Sequence, residues 1–94
     1  MNRELINDEA LAAAMTTLDS DWQAEENKLR RDYKFDNFAD ALDFVNRVGA
    51  LAEIADHHPD ICFGWGYVNI ETTTHDRNGI TEVDIALAQR IDSI

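Results

Sequence analysis

One cysteine, one proline, four glycines and eight basic residues are all that this 94-residue chain holds of those types, and it has no long apolar run. Each scarcity excludes something. A lone thiol, Cys62, cannot close an intramolecular disulfide and fits a reducing compartment. With so little glycine and only Pro59, the chain shows no linker and no low-complexity segment, and no internal repeat is visible. Eight Lys and Arg against nineteen Asp and Glu leave a net charge of −11 at pH 7. That charge repels nucleic-acid phosphates and anionic lipid, so direct DNA or RNA binding and membrane association are not expected. The longest apolar stretch, between Glu9 and Met15, is far shorter than a membrane span. No basic N-terminal region followed by a long apolar run suggests a secretory signal, so a cytoplasmic location is the expectation.

What is present suits a packed core. The hydrophobic fraction is 45 %, and the length accommodates one domain, residues 1–94, with no room for two cores. The pattern reads as helix, two strands, helix, two strands, helix. Asn7 is a plausible N-cap, with Asp8 and Glu9 in the first turn and Leu11, Met15 and Leu18 at helical spacing. Trp22 begins a short strand, and Glu25-Glu26-Asn27 forms its turn. Leu29, Arg31, Tyr33 and Phe35 then share one side of a second strand. Asp36 or Asn37 caps a second helix. Its apolar stripe takes in Phe38, Ala41, Leu42, Val45, Val48, Gly49, Ala52 and Ala55. Pro59 stops that helix, because the residue before proline is pushed out of helical geometry. Ile61, Phe63 and Trp65 alternate on a third strand, with a tight turn near Gly66. A fourth strand runs from Tyr67 to His75. Thr81 caps the last helix with Asp84 as the partner of a variant capping box. Short hairpins separated by helices imply an α+β fold: a four-stranded antiparallel sheet with three helices packed on one face.

The chemistry concentrates in His57-His58-Pro59-Asp60 and Thr74-His75-Asp76, which hold all three histidines. Histidine is the side chain whose ordinary pKa, roughly 6.5, lies nearest neutrality, so three converging imidazoles would make a proton-transfer site. Adjacent histidines rarely chelate one metal, and the His-x-x-x-His spacing of helical zinc sites is absent, so no metal site is expected, although a metal-binding regulator using the three histidines stays open as an alternative. A histidine just past a helix can equally complement the helix dipole, the plainer reading of His57. Glu53 stands one turn before His57, with Asp56 beside it. Such a pair either fixes an imidazole's tautomer or is an exposed ion pair of little consequence. Asp84 shares a stripe with Leu87, Ala88 and Ile91. A carboxylate there either caps Thr81 or lines a pocket and binds a polar ligand. Phe63, Trp65 and Tyr67 read as core or interface aromatics, and Thr72-Thr73-Thr74 as β-branched strand residues.

Taken together, these segments resemble the pterin-4a-carbinolamine dehydratases along nearly the whole chain. The resemblance rests on Trp22, Leu29-Arg30-Arg31 through Phe35 and Phe38, Ala52-Glu53, His57-His58-Pro59-Asp60-Ile61, Trp65, Thr74-His75-Asp76 and Gly79-Ile80-Thr81-Glu82 with Asp84. Gly66 and Arg77-Asn78 depart from the residues often found at those turns. The resemblance implies the same α+β fold and a hydro-lyase activity. The substrate would be a 4a-hydroxytetrahydropterin, which loses water to give quinonoid dihydropterin and so recycles the pterin cofactor of aromatic amino acid hydroxylases. No metal or bound cofactor is implied. His57 and His75 would be the leading acid and base, and His58 would help to bind and orient the substrate. Glu53, and less directly Asp56, would orient a histidine, and Asp84 would stand at the pocket edge.

The resemblance further implies a homodimer or homotetramer built on exposed strand edges and helices, with the strand from Phe63 to Trp65 as a natural place to pair subunits. Two non-catalytic roles come with it, because animal relatives act as dimerisation cofactors of a transcription factor and some bacterial relatives in assembly of a carbon-fixing enzyme. The assembly type tends to lose the histidine motif, which this chain keeps.

Overall fold

Three side chains fix where the helices begin. In the computed structural model, which describes residues 2–94, Asn7 Oδ1 accepts a hydrogen bond from Ala10 N at 2.8 Å and starts α1, Asp8–Met15. Asn37, not Asp36, does the same for α2, Phe38–Ala55, by accepting from Asp40 N at 2.8 Å. Thr81 starts α3, Glu82–Asp92: its hydroxyl accepts from Val83 N, and its own N–H donates to the Asp84 carboxylate at 3.0 Å. Each of these contacts satisfies an amide that the first helical turn leaves without a partner.

Between the helices lie β1 (Gln23–Glu25), β2 (Lys28–Lys34), β3 (Asp60–Gly64) and β4 (Tyr67–Thr72), all antiparallel, in the spatial order β1-β2-β4-β3. The expected element order and the α+β architecture are therefore present. The central pair, β2 and β4, buries Leu29, Val68 and Ile70 against Ala41, Val48 and Ala52 of α2 and Leu87, Ala88 and Ile91 of α3. At the far end of α3 the Asp92 carboxylate accepts from Trp22 Nε1 at 2.8 Å and from Arg31 Nη1 at 2.9 Å. The Arg31 guanidinium lies 4.4 Å from the centre of the Tyr33 ring, whose hydroxyl burial pushes far above its usual range.

Several local expectations shift. Glu25 pairs with Lys28, so the first turn is Glu26-Asn27 alone, with both residues at positive φ as a two-residue hairpin of right-handed twist demands. Trp65 leaves β3 and sits in the turn with Gly66. It is 72 % exposed and so belongs to the surface, not the core. Gly66 has φ +82°, and a Cβ there would come within 3.1 Å of the Phe35 carbonyl. The buried face of α2 is rotated from the expected stripe: Phe44 turns onto Tyr33 and Phe35, at 4.5 and 5.2 Å between ring centres, which leaves Phe38, Leu42 and Ala55 exposed. β4 stops at Thr72 and does not reach His75. Thr74 forms one isolated bridge to Gly79, and His75–Arg77 make a single 3-10 turn closed by Asn78 in the left-handed region.

Candidate active site

The end of α2 decides where the histidines go. The helix stops at Ala55, and Asp56 adopts a left-handed conformation (φ 50°), so that His57 N donates back to the Ala52 carbonyl at 3.1 Å. This reversal sends two adjacent side chains in opposite directions. His57 turns inward and is 6 % exposed, whereas His58 points outward.

Beneath His57 lies Asp84, with no exposed surface. His57 Nε2 is 2.6 Å from Asp84 Oδ1. The same carboxylate accepts from Thr72 Oγ1 at 2.7 Å, from Thr74 Oγ1 at 2.9 Å and from Thr81 N at 3.0 Å. Thr74 and Thr81 also share a hydroxyl–hydroxyl bond of 2.8 Å. A buried carboxylate is costly unless it is fully hydrogen-bonded, and here β4, the N-terminus of α3 and the turn after α2 each supply donors. With Asp84 as acceptor, Nε2–H of His57 is the donor, and Nδ1 is the ring's remaining nitrogen.

The structure thus revises three expectations. Asp84 both caps α3 and holds His57, and it lies buried beneath the cleft, outside its lining. Glu53 pairs with His58 Nε2 and not with His57, because the left-handed Asp56 breaks the one-turn spacing on which the expected pair depended. Thr72 and Thr74 are not merely strand residues: their hydroxyls face the inner carboxylate. Nothing in a run of three threonines distinguishes that role from ordinary strand preference, although the alternation of Thr72 and Thr74 on the core face was a usable sign.

His75 arrives from the 3-10 turn, exposed, and its ring makes no hydrogen bond among the described residues. It lines one surface cleft of about 290 Å³ together with His57 and His58; Asp56, Thr73, Asp76 and Arg3 complete the wall. Arg3 had no signal in the sequence. It is brought there by the N-terminal segment, which pairs Leu5 with Thr81 in an isolated bridge and hydrogen-bonds Ile6 N to the Ile80 carbonyl at 3.1 Å. Arg3 Nη2 donates to Asp76 Oδ1 at 2.9 Å, and this hydrogen bond holds the Asp76 carboxyl below its usual range.

Three imidazoles on one cleft, two of them held by carboxylates, are groups of the kind that can protonate a leaving group and remove a proton from a neighbouring atom. The chain's relatives carry a matching name. A Rubrobacter xylanophilus protein provisionally named pterin-4-alpha-carbinolamine dehydratase is 53 % identical over 74 residues, covering 78 % of this chain and 69 % of that one. A Thermomicrobium roseum protein of the same provisional name is 45 % identical over 84 residues, covering 89 % and 90 %. Among solved structures, a transcriptional coactivator/pterin dehydratase from Brucella melitensis superposes with a TM-score of 0.89 at 29 % identity, over 96 % of this chain and 97 % of that one. A pterin dehydratase-like RuBisCO assembly factor of the alpha-carboxysome superposes with a TM-score of 0.63 at 30 % identity, over 77 % and 83 %. The family profile for pterin 4 alpha carbinolamine dehydratase matches residues 4–94, a span that includes every histidine and carboxylate of the cleft, and the chain belongs to that family.

Proposed function

We propose that this protein dehydrates 4a-hydroxytetrahydropterins. The observation that carries the reading is the meeting of His57, His58 and His75 on one cleft with His57 anchored from below by Asp84. In the reaction the C4a–O bond breaks, the departing hydroxyl takes a proton and leaves as water, and N5 loses its proton as the C4a=N5 bond forms. One histidine must therefore donate and another accept. His57 and His75 take these two roles, and His58, steadied by Glu53, binds and orients the pterin. Asp84 holds the His57 ring from beneath, and Asp56 contributes to the wall. The product, a quinonoid dihydropterin, is what a reductase would need to regenerate the cofactor of an aromatic amino acid hydroxylase. The step itself calls for no metal and no bound cofactor.

The intermediate also loses water unaided, so the barrier left for the enzyme is modest and single variants retain part of the activity. The test is the absorbance decay of freshly generated 4a-hydroxytetrahydropterin with wild type and with the folded double variant His57→Ala, His75→Ala. Acceleration by wild type alone supports the reading. A wild-type trace no faster than buffer rejects it.

Subunit pairing belongs to the same proposal. β3 is an edge strand, and exposed Trp65, Tyr67 and Phe38 surround it. We place the dimer contact there. Sedimentation of Trp65→Lys should show a lighter species than wild type. A second reading, a binding or assembly protein on the same scaffold, draws its support from the likeness to the assembly factor. It gains ground only if catalysis is absent and a protein partner is captured.

A further inference from the structure

The histidine cleft borders a second cavity, of about 320 Å³, between the C-terminal end of α2 and one face of α3. Arg3 and Asp56 line both, so the two concavities adjoin. The second has an apolar middle formed by Ala55, Val83, Ala86 and Leu87, with Arg90 also in its lining. Val83, Ala86, Leu87 and Arg90 follow helical spacing, so the groove runs along α3 for roughly 10 Å, about two turns. The N-terminal segment, which carries Arg3, is held at the start of α3 by Asn2 N on Glu82 and by the Leu5–Thr81 bridge. Arg90 lies in the last turn, two turns further on.

The charge of this groove stands against that of the rest of the molecule. The chain carries a net charge of −11, yet two of its eight basic residues line this one groove. Its lining holds one carboxylate, Asp56, at the end shared with the histidines. Among the described residues Arg90 has no carboxylate within ion-pair distance, whereas Arg3 is already engaged by Asp76. An apolar trough that leads away from the acid/base site and ends at an unpaired guanidinium suits a chain whose far end is an anion.

Resting on the dehydratase reading, we propose that this groove is the second half of the substrate site. It takes the C6 substituent of the pterin when that substituent ends in an anion, a phosphate or a carboxylate, and places the charge on Arg90. The ring occupies the histidine cleft, and the substituent passes Arg3 and crosses Val83 and Ala86. The groove therefore selects among pterins by their tails and leaves the chemistry to the histidines.

The experiment measures binding of three stable 7,8-dihydropterins to the full chain by calorimetry: one with a neutral trihydroxypropyl group at C6, its terminal phosphate ester, and one with an aminobenzoyl-glutamate tail. At least one anionic compound should bind roughly tenfold more tightly than the neutral one, the gain of one charge-assisted hydrogen bond. Arg90→Gln should abolish that preference. Arg90 is exposed, so the variant keeps its fold, and Ala86→Leu, which fills the middle of the groove, should lower the affinity for the favoured anion by a similar factor. Loss with only one of the two anions tells phosphate from carboxylate. Equal binding of all three compounds, or a preference that survives Arg90→Gln, overturns the groove proposal. In that case turnover of the neutral 4a-hydroxy compound still decides the dehydratase reading separately. If no dihydropterin binds, the groove proposal falls, and the turnover measurement again decides the dehydratase reading.

Discussion

Two histidines adjacent in the chain each meet a carboxylate, and the two pairs have opposite surroundings. The side chains of His57 and Asp84 are 6 % and 0 % exposed; those of His58 and Glu53 are 57 % and 77 % exposed. The inner pair adds three further donors to its carboxylate and joins three parts of the fold. The outer pair joins a helix to the turn that follows it. The same two residue types thus do different work. The buried pair fixes a ring and ties the core, since removing one partner strands the other in a dry interior. The exposed pair holds little stability, because water and salt compete for both charges.

The largest effect should come from breaking the inner pair. Asp84→Ala leaves His57, Thr72, Thr74 and the Thr81 amide without their shared acceptor, and a loss of roughly 3–5 kcal/mol is expected for a broken buried pair. Urea unfolding should show the midpoint falling steeply with the slope preserved. A loss under ~1 kcal/mol would mean that the inner carboxylate is no hub, and the contrast with the outer pair would collapse.

Thr74 sharpens the same contrast on a smaller scale. Thr74→Val keeps the shape and deletes one donor to Asp84 and one bond to Thr81, for an expected cost of ~1–3 kcal/mol. Thr74→Ser restores the hydroxyl and should recover most of the dehydration rate that the valine variant loses. A valine variant as stable as wild type would show that the hydroxyl contributes only shape.

On the outer pair the balance reverses. Glu53→Gln should change stability by no more than ~0.5 kcal/mol, the scale of an exposed ion pair. It should slow dehydration roughly tenfold, equivalent to ~1.4 kcal/mol of transition-state stabilisation, because His58 loses its steadying partner. If unfolding and turnover both stay at wild-type values, Glu53 is only a surface charge.

The contrast also shows what the sequence could reveal. Helix starts were legible because Asn7, Asn37 and Thr81 carry the capping chemistry themselves. The α+β order followed from hairpins too short for parallel crossovers. The three histidines and Asp84 stood out by type, but the pairing did not. Spacing along a helix assigned Glu53 to His57, and a single left-handed residue, Asp56, exchanged the partners. The threonine hydroxyls were hidden because threonine is frequent in strands for reasons of shape alone. Arg3 was hidden because its place depends on a chain segment meeting residues more than seventy positions away.

Arg3 and Asp76 supply the smallest and last test, a second exposed pair with which to probe the outer class. Their side chains are 42 % and 60 % exposed, and the Arg3 hydrogen bond holds Asp76 below the usual carboxylate range. A carboxyl whose folded value is depressed contributes its stabilisation above the unfolded value and loses it as pH falls through the folded one. Attachment of the N-terminal segment should therefore loosen only in acid, below the usual carboxylate range, and stay constant through neutrality. An NMR titration of Asp76 should move up into the ordinary range in Arg3→Ala, with hardly any change in global unfolding. A large drop in global stability from that variant would place this pair with Asp84 and not with Glu53, and exposure would then be the wrong criterion for separating pairs that hold the fold from pairs that serve the cleft.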